Sequence, residues 1–230
     1  MEQIDAVEES PACCSYRENF VTDILSSNQT GVELDGYMVS YKYWMDYAQI
    51  VKSHFQFKES VKRQSGSQII KILAEKDLKR DNVTLVGIHA RRGDYLDEQR
   101  QRMGYVPALE SYIYSVVAFH ELRHKMLTRN QTLIFLLLGN DLEWNRQVAS
   151  NLTNVIVPQW LNNKEIDLCV LTLCDHYSMS VGTFGLWAAF LAKPTATITY
   201  QKLMFKMNST KALNYNSTLE DFVLPHWIPL

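Results

Sequence analysis

The chain has 230 residues, 47% apolar and 21% charged, which is the composition of a globular protein and not of a disordered or fibrous one. A net charge of −2 gives no global attraction to nucleic acid, and four cysteines are too few for a disulfide scaffold. No uninterrupted apolar run of about 18 residues is present to span a membrane. The acidic opening MEQIDAVEESPACC lacks the basic and apolar regions of a signal peptide. Asn-x-Ser/Thr sequons nevertheless start at Asn28, Asn82, Asn130, Asn151, Asn208 and Asn216. About two would arise by chance, so the excess points to a secretory-pathway chain with glycosylated loops.

Residues 1–30 are polar and carry no clear periodicity. Aromatics crowd between Leu34 and Phe57, and 43–54 is a candidate helix. Lys58 to Ser67 reads as a linker or helix entry, with Ser67 capping a helix that carries Ile69, Ile70, Leu73 and Leu78. A regular alternation follows. Val83–His89 is a short apolar strand, and Pro107 opens a helix with Leu109, Tyr112, Ile113, Val116 and Val117 on one face. Leu133–Leu138 is a strand of the kind buried on both faces. Asn140 and Glu143 form a capping pair for a helix through Val148. Strand Asn154–Val157, helix Lys164–Leu173, strand Tyr177–Val181, helix Phe184–Ala192 and strand Ala196–Tyr200 complete the series. This order predicts an α/β fold with a doubly wound, mainly parallel sheet.

In such sheets ligands bind beyond the carboxyl ends of the strands. Three unusual loops stand there: His89-Ala90-Arg91-Arg92-Gly93-Asp94-Tyr95, Gly139-Asn140-Asp141, and Gly182-Thr183-Phe184-Gly185. Paired arginines can fork onto phosphate oxygens, although such pairs also occur as surface ion pairs. The Gly182 turn precedes a helix, whose free N–H groups favour an anion, with the Thr183 and Ser180 hydroxyls as further donors; the same glycine also fits an ordinary turn. Together the loops read as a diphosphate clamp made of protein groups. Neither an Asp-x-Asp pair for a divalent metal nor a GxxxxGK[ST] loop is present.

At these residues a family resemblance emerges. VGIHARRGDYL resembles the first signature, HxRRGDY, of the α-1,2-fucosyltransferases that use GDP-fucose. Asp167 to Ala192 resembles their second signature, with its TxGTFGxWAAYL core. FLLLGNDLEWNR, LDGYMVSYKYW and the closing LPHWIPL resemble further segments, so the similarity runs through residues 31–230 in order. It implies a GT-B-like fold: a Rossmann-type parallel sheet in a GDP-fucose-binding lobe at 83–230, with 1–82 as a partial, acceptor-side lobe. It implies inverting, metal-independent transfer of fucose to the 2-hydroxyl of a terminal galactose, with no cofactor beyond the donor, in the Golgi lumen or at its membrane. Carried over, Arg91 and Arg92 hold the diphosphate and His89 orients their loop. Asn140, Ser180, Gly182, Thr183 and Phe184 line the donor site. Asp94 either braces the arginines or approaches the acceptor, and a carboxylate two residues from Arg92 favours bracing. Asp97 and Glu98 are candidates for a base by proximity alone.

The resemblance has gaps. The family's cytoplasmic tail, membrane anchor, stem and Gly-Asn-rich first turn have no counterpart here, and Tyr177 and Asp175 replace the usual Thr and Asn. An inactive sugar-nucleotide or glycan-binding remnant is therefore the main rival reading. His120-Glu121-Leu122-Arg123-His124 also matches the zinc protease pattern HExxH, with Glu143 as a possible third ligand. Its helix is the crossover of a βαβ unit, and His120 shares a face with Val116 and Ile113, aimed at the sheet. Cys169 and Cys174, five apart on one helix, are expected as free buried thiols.

Overall fold

The computed structural model describes residues 5–8, 16–26, 32–35, 38–127, 130–160, 163–206 and 219–230. Strands β1 (Asp5–Glu8) and β2 (Val32–Asp35) pair in parallel, with α1 (Phe20–Ser26) between them in sequence. The stretch 43–54 is not one helix. Two 3-10 turns, Tyr41–Tyr43 and Met45–Tyr47, precede α2 (Ala48–His54), because Trp44 at φ −133° interrupts the helical path. Of the two readings of 58–67, linker or helix entry, the structure has the helix: α3 runs from Glu59 to Ala74, and Ser67 lies inside it instead of capping it. Tertiary packing outweighs the weak local propensity, since Ser65, Ile69, Ile72 and Leu73 are all buried.

From residue 83 the alternation holds. It comprises β3 (Val83–Ala90), α4 (Glu98–Arg102), α5 (Glu110–Met126), β4 (Thr132–Gly139), α6 (Leu142–Ser150) and β5 (Val155–Ile156). It continues through α7 (Lys164–Leu173), β6 (His176–Met179), α8 (Thr183–Leu191), β7 (Ile198–Tyr200) and β8 (Ile228–Pro229). The sheet order is β5-β4-β3-β6-β7-β8, and every pairing is parallel. Counted from β3, this is the 3-2-1-4-5-6 order of a Rossmann sheet. The Rossmann-type lobe expected of a GT-B-like protein is therefore present. Sequence reading did not foresee β8. It is two residues long and contains proline, which an edge strand tolerates.

Several boundaries differ from expectation. Leu109, not Pro107, precedes the first turn of α5. The cap of α6 is Asp141, whose Oδ1 accepts from the Trp144 N–H at 3.1 Å; Asn140 is engaged elsewhere. Asn163 caps α7, accepting from the N–H groups of Glu165 and Ile166.

The strand period sorts β3 between two cores. Val83 and Leu85 join Ile72 and Leu73 of α3, Val170 and Leu171 of α7, and Leu186 of α8. Val86, Ile88 and Ala90 join Ile113 and Val116 of α5 and Val148 of α6. Residues 59–74, assigned from sequence to the first lobe, thus pack into the core of the sheet, α3 lying against α7. Val223, Leu224 and Trp227 enter the same core from the carboxyl-terminal segment. Cys169 and Cys174 are buried free thiols. No described helix is long and apolar enough to cross a membrane.

Candidate active site

β3 and β6 are neighbours where the strand order reverses, so their carboxyl ends open one crevice. The three loops singled out from sequence meet there, joined by hydrogen bonds. Ser180 is fully buried; its N–H donates to the His89 carbonyl at 3.0 Å, and its Oγ accepts from the Arg91 N–H at 2.8 Å. Its hydroxyl oxygen therefore fastens the β6 loop to the β3 loop. Asn140 holds the arginine loop from the end of β4: its Oδ1 accepts from the Arg92 N–H at 2.8 Å. Its Nδ2 occupies the space above Gly93, where a Cβ would lie 2.0 Å away, and Gly93 has φ +31°. Both features demand glycine.

The two arginines differ in surroundings. Arg92 Nε donates to Asp141 Oδ2 at 3.1 Å and Nη1 to the Ala108 carbonyl at 2.9 Å, and the guanidinium lies 4.2 Å from the Trp144 ring centroid. Its side chain is 17% exposed. Asp141 thus caps α6 with one oxygen and holds Arg92 with the other. The Arg91 side chain is 35% exposed, lies over the Tyr95 ring and forms an ion pair with Asp94, Nη2 to Oδ1 at 2.6 Å. That contact lacks hydrogen-bond geometry. Arg91 therefore keeps more of its donors free of the protein than Arg92 does, where the sequence suggested two equivalent forks. Asp94 pairs with Arg91, whereas the sequence reading set it against Arg92.

His89 lies on the α8 side of β3, only 5% exposed, with its ring 5.3 Å from that of Phe184. Its Nδ1 has no hydrogen-bond partner among the described residues and would stand 2.9 Å from a Cβ on Gly185. Burial, then the Arg91 charge, push its pKa down to about 3, so the imidazole stays neutral. It packs the first turn of α8 against the end of β3.

Helix α8 follows Gly182, which has φ +96° and ψ 159°. Among the described residues no side chain caps this end, so the first-turn N–H groups stay open to an anion. Thr183 is exposed beside them. The nearest atom to the Cβ position of Gly182 is Tyr95 Oη at 3.5 Å. The arginine loop and the α8 amino end therefore stand next to one another. Tyr95 packs on Tyr105, and burial pushes its phenol up to about 12, which keeps it a hydrogen-bond donor.

Sequence reasoning placed Tyr95 and Asp141 in the crevice loops without giving them a role, and missed Trp144 and Gln201. Gln201 is buried, accepts from the Leu109 N–H at 3.0 Å and donates to the Pro107 and Leu203 carbonyls, which pins the loop before α5 to the end of β7. The only available signal was the i, i+3 spacing of Asp141 and Trp144.

Of the HExxH residues, His120 and His124 line one small cavity with His176, but among the described residues no group of three His, Cys, Asp or Glu side chains could hold a metal. His120 is 2% exposed and stacks on His176, while His124 Nε2 donates to the Gln131 carbonyl at 2.6 Å. They lie at the amino edge of the sheet, remote from the crevice.

A Rossmann-order sheet with a cationic loop and an open helix amino end at its switch point is the frame of a doubly wound α/β protein whose crevice suits an anionic group. Residues 18–229 match Glycosyl transferase family 11, and the chain belongs to that family. It is 28% identical over 166 residues to galactoside alpha-(1,2)-fucosyltransferase 1 of Saimiri boliviensis boliviensis, covering 70% of this chain and 43% of that one. It is 26% identical over 185 residues to the protein of the same name from Alouatta belzebul, covering 77% and 49%. The chain thus spans about half the length of these relatives. The beta Kdo 2,7 transferase KpsC of Thermosulfurimonas dismutans overlays with TM-score 0.34 at 9% identity, covering 85% of this chain and 63% of that one, a similarity too low to define a shared fold.

Proposed function

We propose that the protein transfers L-fucose from GDP-fucose to the 2-hydroxyl of a terminal galactose, with inversion, without a metal ion, in the Golgi lumen. The observation that carries this reading is the pairing of Arg91 with the uncapped amino end of α8 at the β3–β6 switch. The names of the relatives support the sugar and the acceptor class. In this reading the donor diphosphate lies between Arg91 and the Thr183–Phe184 N–H groups. The acceptor hydroxyl attacks the sugar carbon from the face opposite GDP and gives up its proton as the C–O bond to the diphosphate breaks. Arg91 and the helix amino end take the charge that builds on the leaving GDP, which is the task a cation performs elsewhere. Arg92, Asn140, Asp94 and Ser180 hold the clamp in shape, and Thr183 adds a hydroxyl. His89 is too weak a base and too buried to take the proton, and no base is assigned.

Calorimetric titration with GDP, combined with a transfer assay on a terminal galactoside with and without EDTA, tests the proposal. Expected are saturable GDP binding and transfer that survives chelation. Absence of GDP binding would refute the site. Binding without turnover on any galactoside would favour a non-catalytic sugar-nucleotide-binding protein.

A further inference from the structure

Three sequons have their asparagines among the described residues, and the fold brings them to one edge. Asn82 ends the 3-10 turn leading into β3, Asn130 stands two residues before β4, and Asn151 follows α6 ahead of β5. In a parallel sheet every helix-to-strand connection lies at the amino edge, so all three are opposite the crevice. All three asparagines are exposed. Two are near neighbours: Val83 is in register with Thr132, and Gln131 bridges the two turns, donating to the Asp81 carbonyl at 3.0 Å and accepting from Thr84 Oγ1 at 2.9 Å. The Asn151 side chain lies against the Tyr114 hydroxyl at the surface. A few residues before Asn130 in sequence, the end of α5 and the residue after it expose Leu122, Met126 and Leu127, at 61%, 69% and 46%. An apolar cluster of this kind, left bare, promotes association.

We propose that Asn82, Asn130 and Asn151 carry N-linked glycans, which shield this apolar edge and leave the crevice edge uncovered for donor and acceptor. The proposal rests on the luminal location in the reading above. The donor is a lipid-diphosphate oligosaccharide of the secretory pathway. The asparagine amide nitrogen attacks its anomeric carbon, the C–N bond forms, the C–O bond to the diphosphate breaks, and the amide loses one proton as the lipid diphosphate departs. Attachment takes place on the extended chain. Burial of Thr84 after folding is therefore no obstacle, and the fold need only leave room at each asparagine.

The test expresses the full chain behind a cleavable secretion signal in mammalian cells. Glycans are released with peptide N-glycosidase F in heavy-oxygen water, and each site is read by peptide mass spectrometry as conversion of Asn to labelled Asp. Conversion at positions 82, 130 and 151 in most molecules is the expected result. Conversion confined to 28, 208 or 216, or none at all, overturns the proposal. A triple variant, Asn82→Gln, Asn130→Gln and Asn151→Gln, should lose three glycans by gel mobility, secrete less and aggregate more. Its folded fraction should keep GDP affinity within about twofold; a larger loss would mean these asparagines do not stand clear of the crevice. Occupancy at the three sites together with no GDP binding by the wild type would count against the functional reading and not against the glycan sites.

Discussion

Arg91 and Arg92 are adjacent in sequence, yet one ends among donors left open and the other among partners that hold it. Arg92 has Asp141, the Ala108 carbonyl and the Trp144 ring; Arg91 has Asp94 alone as an anionic partner and a third of its side chain in solvent. Arg91→Ala is therefore expected to weaken GDP binding by about 10- to 100-fold, the loss of a charged hydrogen bond worth about 1.5–3 kcal/mol. Its melting temperature should move by no more than about 2 °C. Arg92→Ala should instead lower the melting temperature by several degrees, at about 2–4 °C per kcal/mol for a chain of this size. Arg92→Lys should fall between, since a point charge cannot reach both oxygens in the plane of the fork. Titration and thermal unfolding of the same preparations separate the two arginines; equal stability losses would abolish the distinction. Gly182 supplies a second contrast. Its Cβ position is open, with Tyr95 Oη no nearer than 3.5 Å, so Gly182→Ala strains the backbone at φ +96° without a clash. The expected cost is about 1–2 kcal/mol, with reduced GDP affinity per folded molecule. Unchanged affinity would remove the α8 amino end from the donor site.

Among the elements, the link between β3, β6 and the turn after α8 depends on Asp175, just before β6. Its carboxylate accepts two bonds from Arg80 Nη2, each 2.8 Å, one from Lys193 Nζ at 2.8 Å and one from the Leu85 N–H at 2.9 Å. Burial alone would raise its pKa, but these donors outweigh burial and hold it at about 2. A depressed acid contributes stability that is present above its unfolded value, near 3.8, and is lost as pH falls towards 2. Asp175→Asn should therefore melt below the wild type at pH 7, with the gap closing between pH 4 and pH 2. A gap that persists at pH 2 would show that the charge is not what holds these elements. The Asn expected here from the family pattern could not form the same ion pairs, which is a physical reason for Asp in this chain.

Acid sensitivity belongs to the whole molecule, because it reports which histidines the core has closed over. His89 and His120 are both buried, and burial, first of all, pushes each down to about 3. Below about 6.5 the unfolded chain takes up protons that the folded one refuses, so stability should fall from pH 6.5 towards pH 3 and stay level above. Each group contributes a slope of at most about 1.4 kcal/mol per pH unit. Urea midpoints between pH 7.5 and 4 measure this, and His120→Phe should reduce the slope; a flat profile would mean that neither histidine is sealed. The carboxyl-terminal segment closes the same core. Trp227 is 5% exposed among residues of α3, α7 and α8, and Asp221 pairs with Lys42 at 2.6 Å, which ties residues early in the chain to its end. Trp227→Ala is expected to cost about 3–5 kcal/mol in urea unfolding.

Periodicity in the sequence determines most of the architecture. LIFLLL is apolar at every position and VTLVGIH at all but Thr84 and His89, as suits strands covered on both faces, and helical spacing between them required parallel crossovers. Parallel crossovers in turn placed the three loops at one edge, so their convergence was legible. Helix limits were not: α3 starts eight residues before Ser67 because burial of Ile69, Ile72 and Leu73 decides where a helix of polar and β-branched residues persists. The unequal fates of Arg91 and Arg92 were also beyond sequence. Which guanidinium is held on several sides depends on Asp141 and Trp144, some fifty residues away, and only the pairing of β3 with β4 brings them within reach. The same holds for the sequons at Asn82, Asn130 and Asn151, which are far apart in sequence and share an edge only because helix-to-strand turns of a parallel sheet all face one way.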